Sequence, residues 1–189
     1  MKFILPAFAL TCASSALYAD EFRPALEDYL ETTVAEWISD PVLVTAIRSA
    51  NLVTAEYGAD QINAMDQAWR SEVGASTQPT IDPILNNDAA ALLRDLVEGS
   101  QGIVSEIFIM DSVGLNVAAS GVTSDMWQGD EAKFTSTYAV GSDATHISDV
   151  EFDESSQQYL GQISVTIPDP DTGAPLGAIT VGVNVEGLF

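Results

Sequence analysis

The pattern of apolar and polar positions divides the chain into a helical half and a strand-rich half. Over residues 20–105, apolar side chains recur at spacings of three and four, which is typical of amphipathic helices. The first such stripe comprises Leu26, Tyr29, Leu30, Val34, Trp37 and Ile38. Asp40 followed by Pro41 predicts a helix restart with Asp40 as the N-cap. Asn87 predicts the start of a later helix, which Gly99 ends.

From residue 106 onward the apolar period changes from that of a helix to that of a strand. The predicted strands are residues 107–110, 115–120, 146–152, 159–167 and 174–185. Loops rich in Asp, Ser, Pro and Gly separate the last three, as in hairpins. Helices followed by a run of strands predict an α+β domain, with a long N-terminal helix packed on a five-stranded antiparallel sheet. We expect residues 20–189 to form this single domain, mainly helical over 20–105 and a sheet over 106–189.

The first 19 residues have the pattern of a secretory signal peptide. A short positive start, Met1-Lys2, precedes an apolar stretch over 3–13, and Ala19 is a small residue suited to cleavage. We expect cleavage after Ala19, which would leave the domain in the periplasm or secreted. The alternative is an uncleaved anchor, but the apolar run contains Pro6 and falls short of a usual span. No later segment predicts membrane insertion after cleavage.

The chain is strongly acidic, with 28 Asp and Glu residues against 6 Lys and Arg residues and a formal net charge of −22. Such an excess argues against nucleic acid or anionic lipid as a partner. It favours cationic ligands only weakly, because salt screens the general field. Cleavage of the leader would remove the only cysteine, Cys12, so no disulfide would stabilise the mature domain.

Residues for common catalytic and metal sites are scarce. His146 is the only histidine, and the chain has no G-x-S-x-G elbow, no P-loop and no pair of zinc-ligating residues at the usual spacing. We therefore predict no enzymatic activity, no cofactor and no resident metal. His146 itself begins a predicted strand, where it could be a ligand contact or a packing residue.

The densest mix of aromatic, amide and charged groups lies over residues 123–134. Trp127 and Gln128 precede a predicted helix start, and together they could form one wall of a small-ligand pocket. Trp127 could equally belong to the core. Asp130 could contact a ligand or act as the N-cap of that helix. Lys133 could pair with a ligand carboxylate or simply balance acidic neighbours.

Several of these segments resemble the extracytoplasmic Cache sensor domains of bacteria, which are PAS-like (PDC) modules of sensor kinases and chemoreceptors. The similar motifs are Asp111-x-x-Gly114-x-Asn116, then Thr123-Ser124-Asp125-x-Trp127-Gln128-Gly129-Asp130-Glu131-x-Lys133, and the closing strand over 177–184. The helical segments around Ile38 to Asn51 and Asp66 to Trp69 are similar too. The resemblance covers nearly all of the chain after the leader.

The resemblance implies one small-molecule pocket between the sheet and the segment that covers it. The candidate ligand-binding residues are Asp111, Asp125, Trp127, Gln128, Asp130, Lys133 and His146. The carboxylates and the indole would suit an amine, whereas Lys133 would suit a carboxylate. Family members usually lie between two membrane helices, which we do not find here. We therefore expect an exported domain that binds an amine, amino acid or organic acid and senses it, or takes it up through a separate membrane receptor or transporter.

A calcium-stabilised structural or surface protein is the alternative from a different class. Acidic residues cluster over 143–154, and the turn over 169–173 offers further oxygen ligands. Neither segment has the ligand spacing of a helix-loop-helix calcium site. Hairpin turns also use Asp and Gly for backbone reasons alone, which is the interpretation we favour.

Overall fold

The computed structural model describes residues 15–154 and 157–189, and it has the predicted α+β class. Its helical part begins with α1 (Ser15–Tyr29), which continues through a π-helical segment (Leu30–Val34) into α2 (Ala35–Trp37). The predicted leader lies mostly outside the described residues, and cleavage after Ala19 stays a prediction.

Four further helices precede the sheet, and side-chain caps define where two of them start. They are α3 (Pro41–Thr54), α4 (Ala59–Glu72), α5 (Asp82–Leu85) and α6 (Asp88–Gly99). At the start of α3, Asp40 Oδ1 accepts a 2.8 Å hydrogen bond from the amide of Val42. At the start of α6, Asn87 Oδ1 accepts one of 2.8 Å from the amide of Ala90. Both predicted N-caps are thus confirmed.

The sheet is antiparallel throughout and has six strands. They are β1 (Val104–Met110), β2 (Asn116–Ala119), β3 (Thr145–Ile147), β4 (Glu151–Asp153), β5 (Gln158–Pro168) and β6 (Pro175–Asn184). The order across the sheet is β2-β1-β6-β5-β3, and β4 also pairs with β5. A 3₁₀ turn (Val185–Leu188) follows β6.

The prediction of five strands was wrong at one place, because the predicted strand over 146–152 is two strands. The interruption follows from Ser148. Its Oγ accepts a 2.9 Å hydrogen bond from the amide of Gln162, while its own amide donates 2.9 Å to the carbonyl of Gln162. A side-chain oxygen thus replaces a backbone carbonyl in the ladder, and regular pairing resumes only at Glu151.

The two faces of the sheet differ in chemistry. In β5, Ile163, Val165 and Ile167 belong to the core beneath the helices, together with residues of α1, α3 and α6. The intervening residues Gln162 and Ser164 face the opposite side, because successive side chains of a strand alternate. The large apolar core is therefore confined to the helical face.

A long crossover covers the second face. Because β2 and β3 lie at opposite edges of the sheet, residues 120–144 must cross that face to join them. The crossover contains one short helix, α7 (Ala132–Thr135), whose Phe134 is buried against Phe108, Met110 and Ala178. The covered surface between sheet and crossover is the region in which the sequence resemblance placed a ligand pocket.

The start of the crossover is fixed against the turn between β1 and β2. Gly114 has a φ of +84° in this turn, and its carbonyl accepts a 2.8 Å hydrogen bond from the amide of Gln128. A Cβ at Gly114 would lie 2.5 Å from Cα of Gly129. Such contact leaves no room for any side chain at position 114.

We expect Gly114→Ala to destabilise the fold by about 3 kcal/mol or more. A positive φ costs an alanine roughly 1–2 kcal/mol, and overpacking costs about 1–3 kcal/mol in addition. Gly74→Ala is the matched control, because Gly74 has a φ of +75° but no atom within 4 Å of its added Cβ. Urea unfolding measures both, and equal losses for the two variants would contradict the close packing of Gly114 on the crossover.

Candidate functional site

A cleft of about 1000 Å³ lies where the crossover meets the β3–β4 edge of the sheet. We refer to it as the edge cleft. It is lined by Arg23, Glu131, Lys133, Leu160, Gln162 and residues 145–149 and 151–154. These positions come from α1, the crossover and β3 to β5. A smaller cavity of about 550 Å³ lies between the first turns of α3 and α6.

The edge cleft presents groups of both charges. Its acidic side chains are Glu131, Asp149, Glu151, Asp153 and Glu154. Its basic side chains are Arg23 and Lys133, and His146 adds an imidazole. A cleft with this composition offers partners to ammonium and to carboxylate groups alike.

Lys133 is held on the wall of the cleft. Its Nζ lies 3.0 Å from Glu131 Oε2 and 3.2 Å from Gln128 Oε1, and it stands 5.4 Å from the centroid of the Phe108 ring. Its side chain is only 15% exposed. Because an ammonium has three N–H donors, Glu131 and Gln128 occupy two of them. The remaining donor suits an anionic ligand group.

Glu106 on β1 was missed by the sequence analysis. Its Oε1 accepts a 3.4 Å hydrogen bond from Nε2 of Gln162, a cleft residue. Burial raises the pKa of Glu106, whereas the positive charge of Lys133 and the Gln162 hydrogen bond lower it. Glu106 lies two positions before Phe108, so both side chains lie on the crossover side of β1, and this spacing could have identified it.

Two of the seven predicted site residues, Lys133 and His146, line the edge cleft. Asp111 does not, because it is fully buried in the turn between β1 and β2. Its Oδ1 accepts from the amides of Val113 and Leu115, each at 2.9 Å, and its Oδ2 from Thr54 Oγ1 at 2.6 Å. Burial raises the pKa of Asp111, and these hydrogen bonds lower it. Asp111 therefore organises the turn.

Trp127, Asp125 and Gln128 do not line the edge cleft. Trp127 Nε1 donates a 2.9 Å hydrogen bond to the carbonyl of Val113, which fixes the indole against the turn. Oδ2 of Asp125 lies 3.4 Å from Nη2 of Arg70, and its Oδ1 accepts a 2.6 Å hydrogen bond from Gln128 Nε2. Gln128 is 1% exposed. Gln128 contacts the cleft residue Lys133.

Asp130 is exposed, and of the two roles considered for it, ligand contact or N-cap, the N-cap role was wrong. The N-cap position of α7 is Glu131, whose backbone is extended with φ −93° and ψ 156°. The helix therefore starts one residue later than predicted. Glu131 makes no side-chain cap either, because its carboxylate pairs with Lys133.

Across residues 15–154 and 157–189, no group of three or more His, Cys, Asp and Glu side chains is arranged to hold a metal ion. In the same part of the chain, no helix is both long enough and apolar enough to cross a membrane.

No family model matches the chain, and no curated protein matches it. Solved structures do. The sensor domain of the V. cholerae histidine kinase DctB is 16% identical, with a TM-score of 0.47, and the match covers 92% of this chain and 55% of that one. The ligand-binding domain of the Pseudomonas aeruginosa amino acid chemoreceptor PctC, in complex with GABA, is 12% identical, with a TM-score of 0.46 and coverage of 92% and 59%.

A third match is the ligand-binding domain of a Campylobacter jejuni chemoreceptor in complex with 4-methylisoleucine. It is 11% identical, with a TM-score of 0.41, and the match covers 85% of this chain and 64% of that one. These three structures are the sensor domain of a histidine kinase and the ligand-binding domains of two chemoreceptors. This chain spans between about half and two thirds of their length.

We expect Glu106→Gln to change the pH dependence of stability. Because the pKa of Glu106 is raised in the folded state, the folded chain binds more protons than the unfolded chain above its ordinary value of 4.5. The contribution of Glu106 to the unfolding free energy therefore falls as the pH rises from 4.5 through the raised pKa of the folded state. Glu106→Gln removes this fall.

Urea unfolding between pH 4 and pH 7 measures this difference. Glu98→Gln is the control, since it removes one carboxylate from an exposed position on α6. The unfolding free energy of Glu106→Gln should rise relative to wild type as pH increases. Parallel profiles for wild type and Glu106→Gln would contradict a buried, destabilised carboxylate at this position.

Proposed function

We propose that the chain is an exported domain that binds a small metabolite in the edge cleft, outside the cytoplasm. The observation that carries the proposal is the fixed ammonium of Lys133 on one wall of a cleft whose rim is acidic. Such a cleft combines an anion-binding point with cation-binding groups, and its volume of about 1000 Å³ can hold a small molecule. The predicted cleavage of a secretory signal peptide supports a location in the periplasm or medium.

The cleft chemistry favours an amphoteric ligand such as an amino acid, ahead of a simple amine or organic acid. A ligand carboxylate would take the remaining donor of Lys133, and His146 lies in the same cleft. A ligand ammonium would face carboxylates such as Asp149 and Glu151 on the rim. Charge-assisted hydrogen bonds of both kinds are stronger than neutral ones, which favours a ligand that makes both.

Binding would serve sensing, or uptake by way of a separate membrane receptor or transporter. We propose no catalytic step, because the cleft groups described above can orient a charged ligand without a paired nucleophile and base. The bound domain would then be the signal that a partner recognises.

A thermal-shift screen of amino acids, polyamines, quaternary amines and organic acids tests the proposal. The largest stabilisation should come from a compound with both an ammonium and a carboxylate, since binding to the folded state alone raises the melting temperature. Melts with calcium and with a chelator belong in the same screen. A large calcium-dependent shift without a response to any metabolite would favour the calcium-stabilised alternative.

Lys133→Met should weaken binding of the carboxylate ligand by about tenfold or more, because one charge-assisted hydrogen bond is lost. Arg94→Met is the matched control. It removes the same charge from a side chain outside the edge cleft. Arg94 donates a 2.6 Å hydrogen bond to the carbonyl of Leu85. Calorimetric titration measures both variants. Wild-type affinity in a folded Lys133→Met protein would show that the ligand does not bind at this point.

A further inference from the structure

Gln128 is a buried amide directly behind the wall of the edge cleft. Its Nε2 donates hydrogen bonds to two oxygens of Asp125, the carbonyl at 3.1 Å and Oδ1 at 2.6 Å. On its other side, Lys133 Nζ lies 3.2 Å from Oε1. The amide thus connects a fixed carboxylate to the cleft lysine.

Only one orientation of this amide is chemically compatible with its neighbours. An amide NH₂ group donates and an amide oxygen accepts. A flipped amide would set its oxygen against the carboxylate of Asp125 and its NH₂ against the ammonium of Lys133. Both contacts would be repulsive, so Asp125 determines that Oε1 points towards Lys133.

Asp125 is itself fixed from three sides. Its backbone carbonyl accepts a 3.0 Å hydrogen bond from Asn116 Nδ2 and a 2.7 Å hydrogen bond from Thr123 Oγ1. Its carboxylate pairs with Arg70. The amide is therefore attached to β2 and to α4, two elements that do not line the cleft. This anchoring gives Gln128 a fixed position from which to hold a flexible side chain.

We propose that Gln128 is a positioning residue, which holds the Lys133 ammonium on the wall of the edge cleft in the geometry for anion recognition. The proposal rests on the proposed function only in taking Lys133 as the ligand contact. A lysine side chain loses considerable rotamer entropy when it is fixed. Glu131 alone could hold it by charge at many angles, whereas the buried Gln128 oxygen adds a second point that defines a direction.

The sequence provides a direct probe of this role. Apart from Lys2 in the leader, Lys133 is the only lysine of the chain. An amine-specific acylating reagent therefore reports on Lys133 alone once its peptide is isolated by chymotryptic digestion and quantified by mass spectrometry. No ligand is needed for this measurement.

Gln128→Met keeps the length of the side chain and removes the acceptor. We expect Lys133 to react roughly ten times faster or more in this variant, the change that corresponds to the loss of one hydrogen bond to a charged group. Gln128→Asn keeps an amide but is one methylene too short to reach both Asp125 and Lys133, so its reaction rate should rise as well. Circular dichroism and melting temperature establish that each variant is folded.

An unchanged rate in folded Gln128→Met would overturn the proposal. If Gln128→Met does not fold, Gln128→Asn decides, and a wild-type rate in that variant would overturn it. The ligand found in the screen gives a separate readout, since its affinity should fall in Gln128→Met. A faster acylation without any ligand binding would keep the positioning role and refute the proposed function.

Discussion

The alternation of side chains across the sheet is the constraint on which the rest of the structure depends. In β5 and β6, large β-branched and apolar residues face the helices, while small and polar residues such as Ser164 and Thr180 face the crossover. Ser164 Oγ and Thr180 Oγ1 lie 3.0 Å apart and are fully buried. Because a strand alternates with a period of two, alternate residues of the same strands form the apolar core on one side and the polar floor on the other. A cover over that floor is then required, and the crossover supplies it.

Two buried carboxylates determine where the crossover begins. Asp111 shapes the turn between β1 and β2, and Asp66 of α4 accepts hydrogen bonds from the amides of Met126 and Trp127 at 3.0 and 3.1 Å. Asp66 also pairs with Arg70 at 2.9 Å. With the backbone of residues 126 and 127 held, Gln128 is placed beside Lys133, which follows five residues later in α7. These two carboxylates are thus structural, and they act on the site through the backbone.

Local signals made much of the fold predictable from the sequence. The caps at Asp40 and Asn87 require only a side chain and the next two or three amides, so residue type and position suffice. The interruption of the third predicted strand by Ser148 was not predictable, because it depends on a hydrogen bond to Gln162, a residue of another strand.

The candidate site was predicted only in part, for the same physical reason. The densest functional motif does lie in the covering segment, and Lys133 and His146 reach the edge cleft. Trp127 and Asp125 turn away from it, since their partners Val113 and Arg70 are remote in sequence. Gln162 shows what such reasoning can still recover, because its place beside Ile163 in an alternating strand already puts it on the polar face.

The central claim is that ligand binds at the edge cleft, and backbone amide NMR during titration with the best compound of the screen tests it most directly. We expect the largest chemical-shift changes at Lys133, Gln162 and residues 145–149, which line the cleft. Shifts confined to the first turns of α3 and α6, where the smaller cavity lies, would contradict it.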